Sequence, residues 1–223
     1  FWMKKMVYAP GCALLCYKPH LAEKLGKVIA ELYGDVDLQQ ICCFDRPALD
    51  EGTHIITPCS TCIRQYEQNY PQCITEFFLK TLLQSESFPF PDYGGIRMTI
   101  QDACAARTQP EHLETVRRLL ERMNIELVEP EKTGARAKCC GQVFYGKLPN
   151  EKVAALMRSR ADEMPVEDVV VYCASCIMSM TVGGKKPRYL LDLLFGEPTK
   201  MADADIELWN GKLLAFRRMQ KTE

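Results

Sequence analysis

The sequence has no excess of charge of either sign. Its 223 residues carry 28 lysines and arginines against 29 aspartates and glutamates, so no broad basic field exists to bind a nucleic-acid backbone. No stretch approaches the roughly 18 uninterrupted apolar residues that a membrane span needs. The opening FWMKKMVYAPGCALLCYKPH has a short apolar run, but Pro10 and Gly11 break it and no small-residue cleavage pattern follows. It does not read as a secretory signal. Three further absences concern redox and phosphate chemistry. No C-x2-C-x2-C-x3-C-P run is present, so no ferredoxin-type relay is built in. No dinucleotide fingerprint follows a strand, which argues against a resident flavin or nicotinamide. The stretch GGKKPR lacks the glycine spacing of a phosphate loop. It reads as a solvated loop whose Lys185, Lys186 and Arg188 face either solvent, an anionic substrate or an acidic partner.

Cysteine, by contrast, is abundant: the chain has 12. Disulfide scaffolds of that density are mostly shorter than about a hundred residues and secreted. Without a secretory signal the expected setting is a reducing cytoplasm, where many thiols point to metal or redox chemistry more than to cross-links.

The cysteines repeat in order. The first half has Cys12, then the adjacent pair Cys42-Cys43, then Cys59-Ser60-Thr61-Cys62. The second has Cys104, then the pair Cys139-Cys140, then Cys173-Ala174-Ser175-Cys176. Cys16 and Cys73 have no counterpart and read as partly buried apolar side chains. Other residues repeat as well. His20-Leu21 and His112-Leu113 stand at the same offset from the first cysteine of their half. Leu21, Leu25, Val28, Ile29 and Leu32 then recur at helical spacing, as do Leu113, Val116, Leu120 and Met123. Each CxxC follows a β-branched run, THIITPC or EDVVVYC.

This order predicts α/β architecture from parallel-sheet βα units, in two related lobes about a pseudo-twofold axis, plus a C-terminal helix. In such sheets, sites gather beyond the carboxyl ends of the strands, where each half's cysteines would converge. The punctuation of SESFPFPDYGG sets the joint, giving a shortened first lobe over residues 1–90, a second over 91–198 and a tail over 199–223. The tail predicts a helix from about Asp203 to Gln220, with Ile206, Trp209, Leu213 and Phe216 on one face against its own domain. His20 and His112, near helix starts, suit surface or capping roles.

Five thiols per half admit three readings. Disulfides conflict with the side-by-side pairs, whose geometry strains a direct bridge. A thioredoxin-like dithiol uses the CxxC after a strand but leaves three thiols of each half idle. Metal or iron–sulfur ligation employs all five, one more than a zinc site or a cubane [4Fe–4S] cluster takes. Adjacent cysteines suit neighbouring irons in an opened cluster.

The motifs IQDACAAR, KCCGQVFYG and VYCASC, with YAPGC, ICCF and TPCSTC as a weaker first copy, resemble the cysteine-rich CCG proteins, typified by the disulfide-cleaving subunit of heterodisulfide reductase. That resemblance implies one non-cubane [4Fe–4S] cluster per lobe, held by Cys12, Cys42, Cys43, Cys59 and Cys62 and by Cys104, Cys139, Cys140, Cys173 and Cys176, with Gly141 close to the second. It implies cleavage of a small-molecule disulfide between the clusters, in a complex with a ferredoxin-like iron–sulfur subunit and a flavoprotein. The rival reading is a non-catalytic electron-transfer or scaffold subunit wiring a partner dehydrogenase. The first copy departs from the pattern. Phe44 replaces the glycine after the cysteine pair, and about a helix's worth of chain is missing before its CxxC. A differently shaped cluster or a zinc site are the alternatives for that half.

Overall fold

Short apolar strands alternate with helices along the whole chain, and the computed structural model describes residues 5–40, 43–200 and 204–220. Two compact units result, residues 1–81 with 210–223, and residues 82–209. In the first, β1 (Met6–Tyr8) leads through α1 (Cys12–Tyr17) and α2 (Pro19–Tyr33) to β2 (Asp37–Leu38). A 3-10 turn at Cys43–Asp45 precedes β3 (His54–Thr57), α3 (Ser60–Asn69), β4 (Ile74–Phe77) and α4 (Phe78–Gln84). In the second, β5 (Ile96–Gln101) and a 3-10 turn at Cys104–Thr108 lead to α5 (Pro110–Arg122) and β6 (Ile125–Leu127). Then come α6 (Asn150–Asp162), β7 (Asp168–Val171), α7 (Ala174–Val182), β8 (Lys186–Tyr189) and α8 (Leu190–Leu194); α9 (Ile206–Met219) follows, and from Asn210 on it belongs to the first unit.

The repeat read from the cysteines is a repeat of topology. The sheets have orders β2-β1-β3-β4 and β6-β5-β7-β8, and every strand pair is parallel. The central strands carry continuous β-branched runs because both their faces are covered. Ile55, Ile56, Val169, Val170 and Val171 are all fully buried. Each such side chain contributes about 1.5–3 kcal/mol on leaving water. Helices α2 and α5 both begin with proline, which costs no hydrogen bond at the first helical position. Each turns an apolar stripe inward, Leu21, Leu25 and Ile29 in one and Val116, Leu119 and Leu120 in the other.

The last strand of the second sheet differs from its reading in the sequence. GGKKPR is not a solvated loop: Lys186–Tyr189 pairs with β7, Pro187 opposite Val169. It is an edge strand, where a proline's missing N–H can be spared from the ladder. Arg188 pairs with Asp168 at 2.6 Å, and Lys185 donates to the Met164 carbonyl at 3.0 Å. The stretch around Phe88 packs within the second unit, with Phe88 edge-on to Phe90 and Phe195 and the Arg122 guanidinium 4.4 Å from the Phe90 ring. In α9, Ile206, Trp209 and Leu213 are buried, and Phe216 packs on the first unit's core. His112 is buried rather than at the surface, whereas His20 is exposed. Among the described residues no helix is long and apolar enough to cross a membrane.

Helix α6 explains one motif residue. Gly141 has φ +102°, a left-handed conformation that side chains disfavour. A Cβ there would stand 2.7 Å from Met157 Cγ and 3.2 Å from the Met157 backbone nitrogen on α6. Glycine is thus required by helix packing as well as by dihedral angle. Gly141→Ala is expected to cost about 2–4 kcal/mol, combining left-handed strain with overpacking. Denaturant unfolding measures it, and a cost below ~0.5 kcal/mol, the range of an ordinary surface change, would show that α6 yields freely.

Candidate metal centre

Parallel order fixes where the thiols go. In a 2-1-3-4 sheet the chain reverses direction of growth between the first and third strands, and crevices open beyond their carboxyl ends. In the second unit Cys104 follows β5 and Cys173 follows β7, the two strands flanking that point. The Cys139-Cys140 pair arrives on the loop before α6, and Cys176 stands in the first turn of α7.

The five thiols of this unit converge, and one close contact joins the cysteine pair to the CxxC. Cys176 Sγ lies 3.2 Å from Cys140 Sγ. Cys139 accepts hydrogen bonds from Cys104 and Cys140, and Cys176 also reaches Cys173. Cys140 and Cys176 are buried. Proton affinity divides accordingly. The Cys104 and Cys140 thiols, then the Gly141 and Val143 amides, outweigh burial and hold Cys139 well below the ordinary thiol range. Cys104 and Cys140 are pushed up, first by facing Cys139. Cys176 draws Cys173 down, helped by the Ser175 and Cys176 amides at the start of α7, which stop short of a full capping bond. A proton-sharing group of soft donors with N–H groups aimed at its anionic members fits a thiolate-held metal or iron–sulfur group. Among the described residues no three histidines, cysteines or carboxylates are spread in metal-binding geometry; the Cys140 and Cys176 sulfurs stand 3.2 Å apart.

Around the thiols runs a polar layer that the sequence did not reveal. Asp102, two residues before Cys104, is fully buried. Its carboxylate accepts from Arg117 Nη1 and Nη2 at 3.1 and 2.9 Å, Thr133 Oγ1 at 3.0 Å, the Gly134 amide at 2.7 Å and Tyr172 Oη at 3.0 Å. Tyr172 immediately precedes Cys173, so one carboxylate ties together the approaches to two cysteines. Gln101 Nε2 donates to the Lys138 carbonyl at 3.0 Å, just before the cysteine pair. Arg160, 2% exposed, donates to Gln101 Oε1 at 2.6 Å and to the Lys132 carbonyl at 3.0 Å. The one available signal was the polar pair Gln101-Asp102 ending an apolar strand.

In the first unit Cys12 and Cys62 are buried with Val7, Ala9, Ile55, Tyr66 and Tyr70. Cys59 packs against the same cluster, and so does Cys73, whose thiol points to the Asp50 carbonyl at 3.5 Å. Cys16, one turn beyond Cys12, is pushed up by burial and then by the charge of Cys12. Cys16 thus borders the first site, whereas Cys73 lies at the amino-terminal end of β4, level with the start of β3. Gly11, at φ +88°, would bring a Cβ to 3.1 Å from Cys62 Sγ, so here glycine does let backbone approach a thiol. Cys42 and the Cys43 side chain lie outside the described residues.

Burial pushes the Asp102 carboxyl up, but Arg117, the Gly134 amide and Tyr172 outweigh it and hold it below the usual range. A depressed carboxylate stabilises the fold above its unfolded pKa of about 3.9, and that contribution fades as pH falls through the folded value. Asp102→Asn is expected to cost about 2–3 kcal/mol at neutral pH, since it strips Arg117 of its buried partner. The gap from the unsubstituted chain should narrow as pH falls below the usual carboxylate range and through the depressed folded value. Unfolding curves across pH check this, and a gap that widens in acid would refute the assignment.

The family-model match falls within the second unit. Residues 98–181 match the model of the CCG family, described as a cysteine-rich domain. A protein of Chromohalobacter salexigens described as a probable membrane-anchored ferredoxin is 25% identical over 114 residues, covering 49% of this chain. The match spans only 17% of that relative's length. The CCG stretch runs from β5 into α7 and includes all five second-unit thiols.

Proposed function

We propose that this chain is an iron–sulfur redox protein. Its second unit holds a cluster through Cys104, Cys139, Cys140, Cys173 and Cys176. Its first holds a cluster or zinc through Cys12, Cys42, Cys43, Cys59 and Cys62. The observation that carries this reading is the convergence of five thiols beyond the carboxyl ends of β5 and β7, with the Cys140 and Cys176 sulfurs 3.2 Å apart. Both the CCG match and the relative described as a ferredoxin support it.

An iron–sulfur cluster, when bound, supplies one-electron exchange. The chain's own residues do the rest. The Gly141 and Val143 amides stabilise negative charge on Cys139. Asp102 and Gln101 fix the segments that present Cys104, Cys139 and Cys173. Five thiols, one beyond the four of a cubane, favour a non-cubane [4Fe–4S] cluster. The finer reading is a heterodisulfide reductase-like subunit that reduces a small-molecule disulfide in a reducing cytoplasm. Its electrons would come from a ferredoxin-like iron–sulfur subunit and a flavoprotein. The likeness to a protein described as a ferredoxin favours a second reading, an electron-transfer subunit with no substrate of its own.

Anaerobically prepared protein should contain about four irons and four sulfides assignable to the second unit. Cys140→Ser should change or abolish that cluster's spectrum, and a full, unchanged spectrum would refute the five-ligand set. With reduced nicotinamide alone the chain should be inert. Disulfide turnover with an artificial one-electron donor would select the reductase reading; cluster reduction without turnover would select electron transfer.

A further inference from the structure

The two thiol sites differ in what faces them. In the second unit, α6 lies between the cysteine pair and the CxxC, and it presses on Gly141. In the first unit the connection from Cys43 to Cys59 is much shorter. It holds a 3-10 turn and no α-helix. Phe44 stands where the second unit has Gly141, and it is half-exposed.

That ring has a partner from the far end of the chain. The Arg217 guanidinium lies 5.0 Å from the Phe44 ring centroid, within cation–π range. Its Nη2 donates to Cys12 Sγ at 3.5 Å, a normal length for a sulfur acceptor. Phe216 of the same turn packs on the cluster that buries Cys12 and Cys62. Just over one turn back, Lys212 brings a second positive charge near the Cys16 thiol. The last turns of α9 thus carry two cations to the thiol face of α1. The second unit's site receives amide dipoles instead.

We infer that Arg217, seated on the Phe44 ring, supplies a fixed positive charge to the first thiol site, and that α9 covers the side of that site left open by the missing helix. The inference rests on the reading that these thiols hold a metal group. It accounts for Phe44, because an aromatic face at this position carries the guanidinium where glycine would carry nothing. A thiolate-rich group binds more tightly beside a cation, and its reduction potential rises as its net charge becomes less negative. Arg217 is a positioning and charge-tuning residue here rather than a ligand.

The test uses the full chain, prepared anaerobically, with metal identified by elemental analysis and its release to a chelator followed over time. Cys12→Ser with Cys62→Ser identifies the first-unit metal. If that pair removes none, the metal reading of this unit falls, and the inference with it. Where metal is present, Arg217→Gln should release it about tenfold faster, in line with the loss of a residue that orients a ligand. Phe44→Leu should act in the same direction, and Arg217→Lys should restore most of the retention. Release from the second unit should not change, and the melting midpoint of the metal-free chain should move little. For a redox-active first site, its potential should fall in Arg217→Gln while that of the second unit stays fixed. Unchanged release in Arg217→Gln, or equal acceleration at both sites, would overturn the role of Arg217 while leaving the metal reading intact.

Discussion

The arrangement of the second unit depends on the pairing of β5 with β7, Thr99 opposite Val169 through Gln101 opposite Val171. Parallel register brings both strands to an end at the same level, so the residues after them emerge side by side. Cys104 and Cys173 are neighbours for that reason. The pairing also sets the Asp102 carboxylate 3.0 Å from the Tyr172 hydroxyl, and the buried carboxylate gathers Arg117, Thr133 and Gly134 around it. A buried anion alone is strongly disfavoured, but one with this many donors becomes a fixed point for three segments at once.

The first unit repeats the strand order but finishes its site differently. Where the second unit inserts α6 and keeps a glycine beneath it, the first inserts a short loop and carries Phe44. The element shared by the two copies is the sheet with its thiol-bearing strand ends. What covers those ends differs within one chain.

Much of this was legible because the signals were periodic. Cysteine order marked the repeat, the apolar stripes marked α2 and α5, and the β-branched runs marked β3 and β7. The edge strand β8 was not, because Lys186, Pro187 and Arg188 suit a loop by composition and become a strand only by pairing with β7. Arg160 and Arg117 look like surface charges on their helices. Arg160 is buried and Arg117 partly so through contacts 59 and 15 residues away in sequence, at Gln101 and Asp102. Arg217 is more distant still, 205 residues from Cys12. No local pattern encodes such partners, and His112, which reads as a surface or capping residue, is buried for similar reasons of tertiary context.

The buried layer of Gln101, Asp102, Arg160 and Tyr172 has a consequence for any change of charge on the neighbouring sulfurs. Freely orienting water answers such a change by turning, and that turning adds to the barrier for moving an electron. Here the nearest dipoles are the Gly141 and Val143 amides, and the segments bearing the cysteines are pinned by bonds to Asp102 and Gln101. Dipoles already aimed, on segments tied by buried hydrogen bonds, have less left to rearrange. For a cluster held as proposed, that pre-orientation would lower the protein's own share of the reorganisation energy.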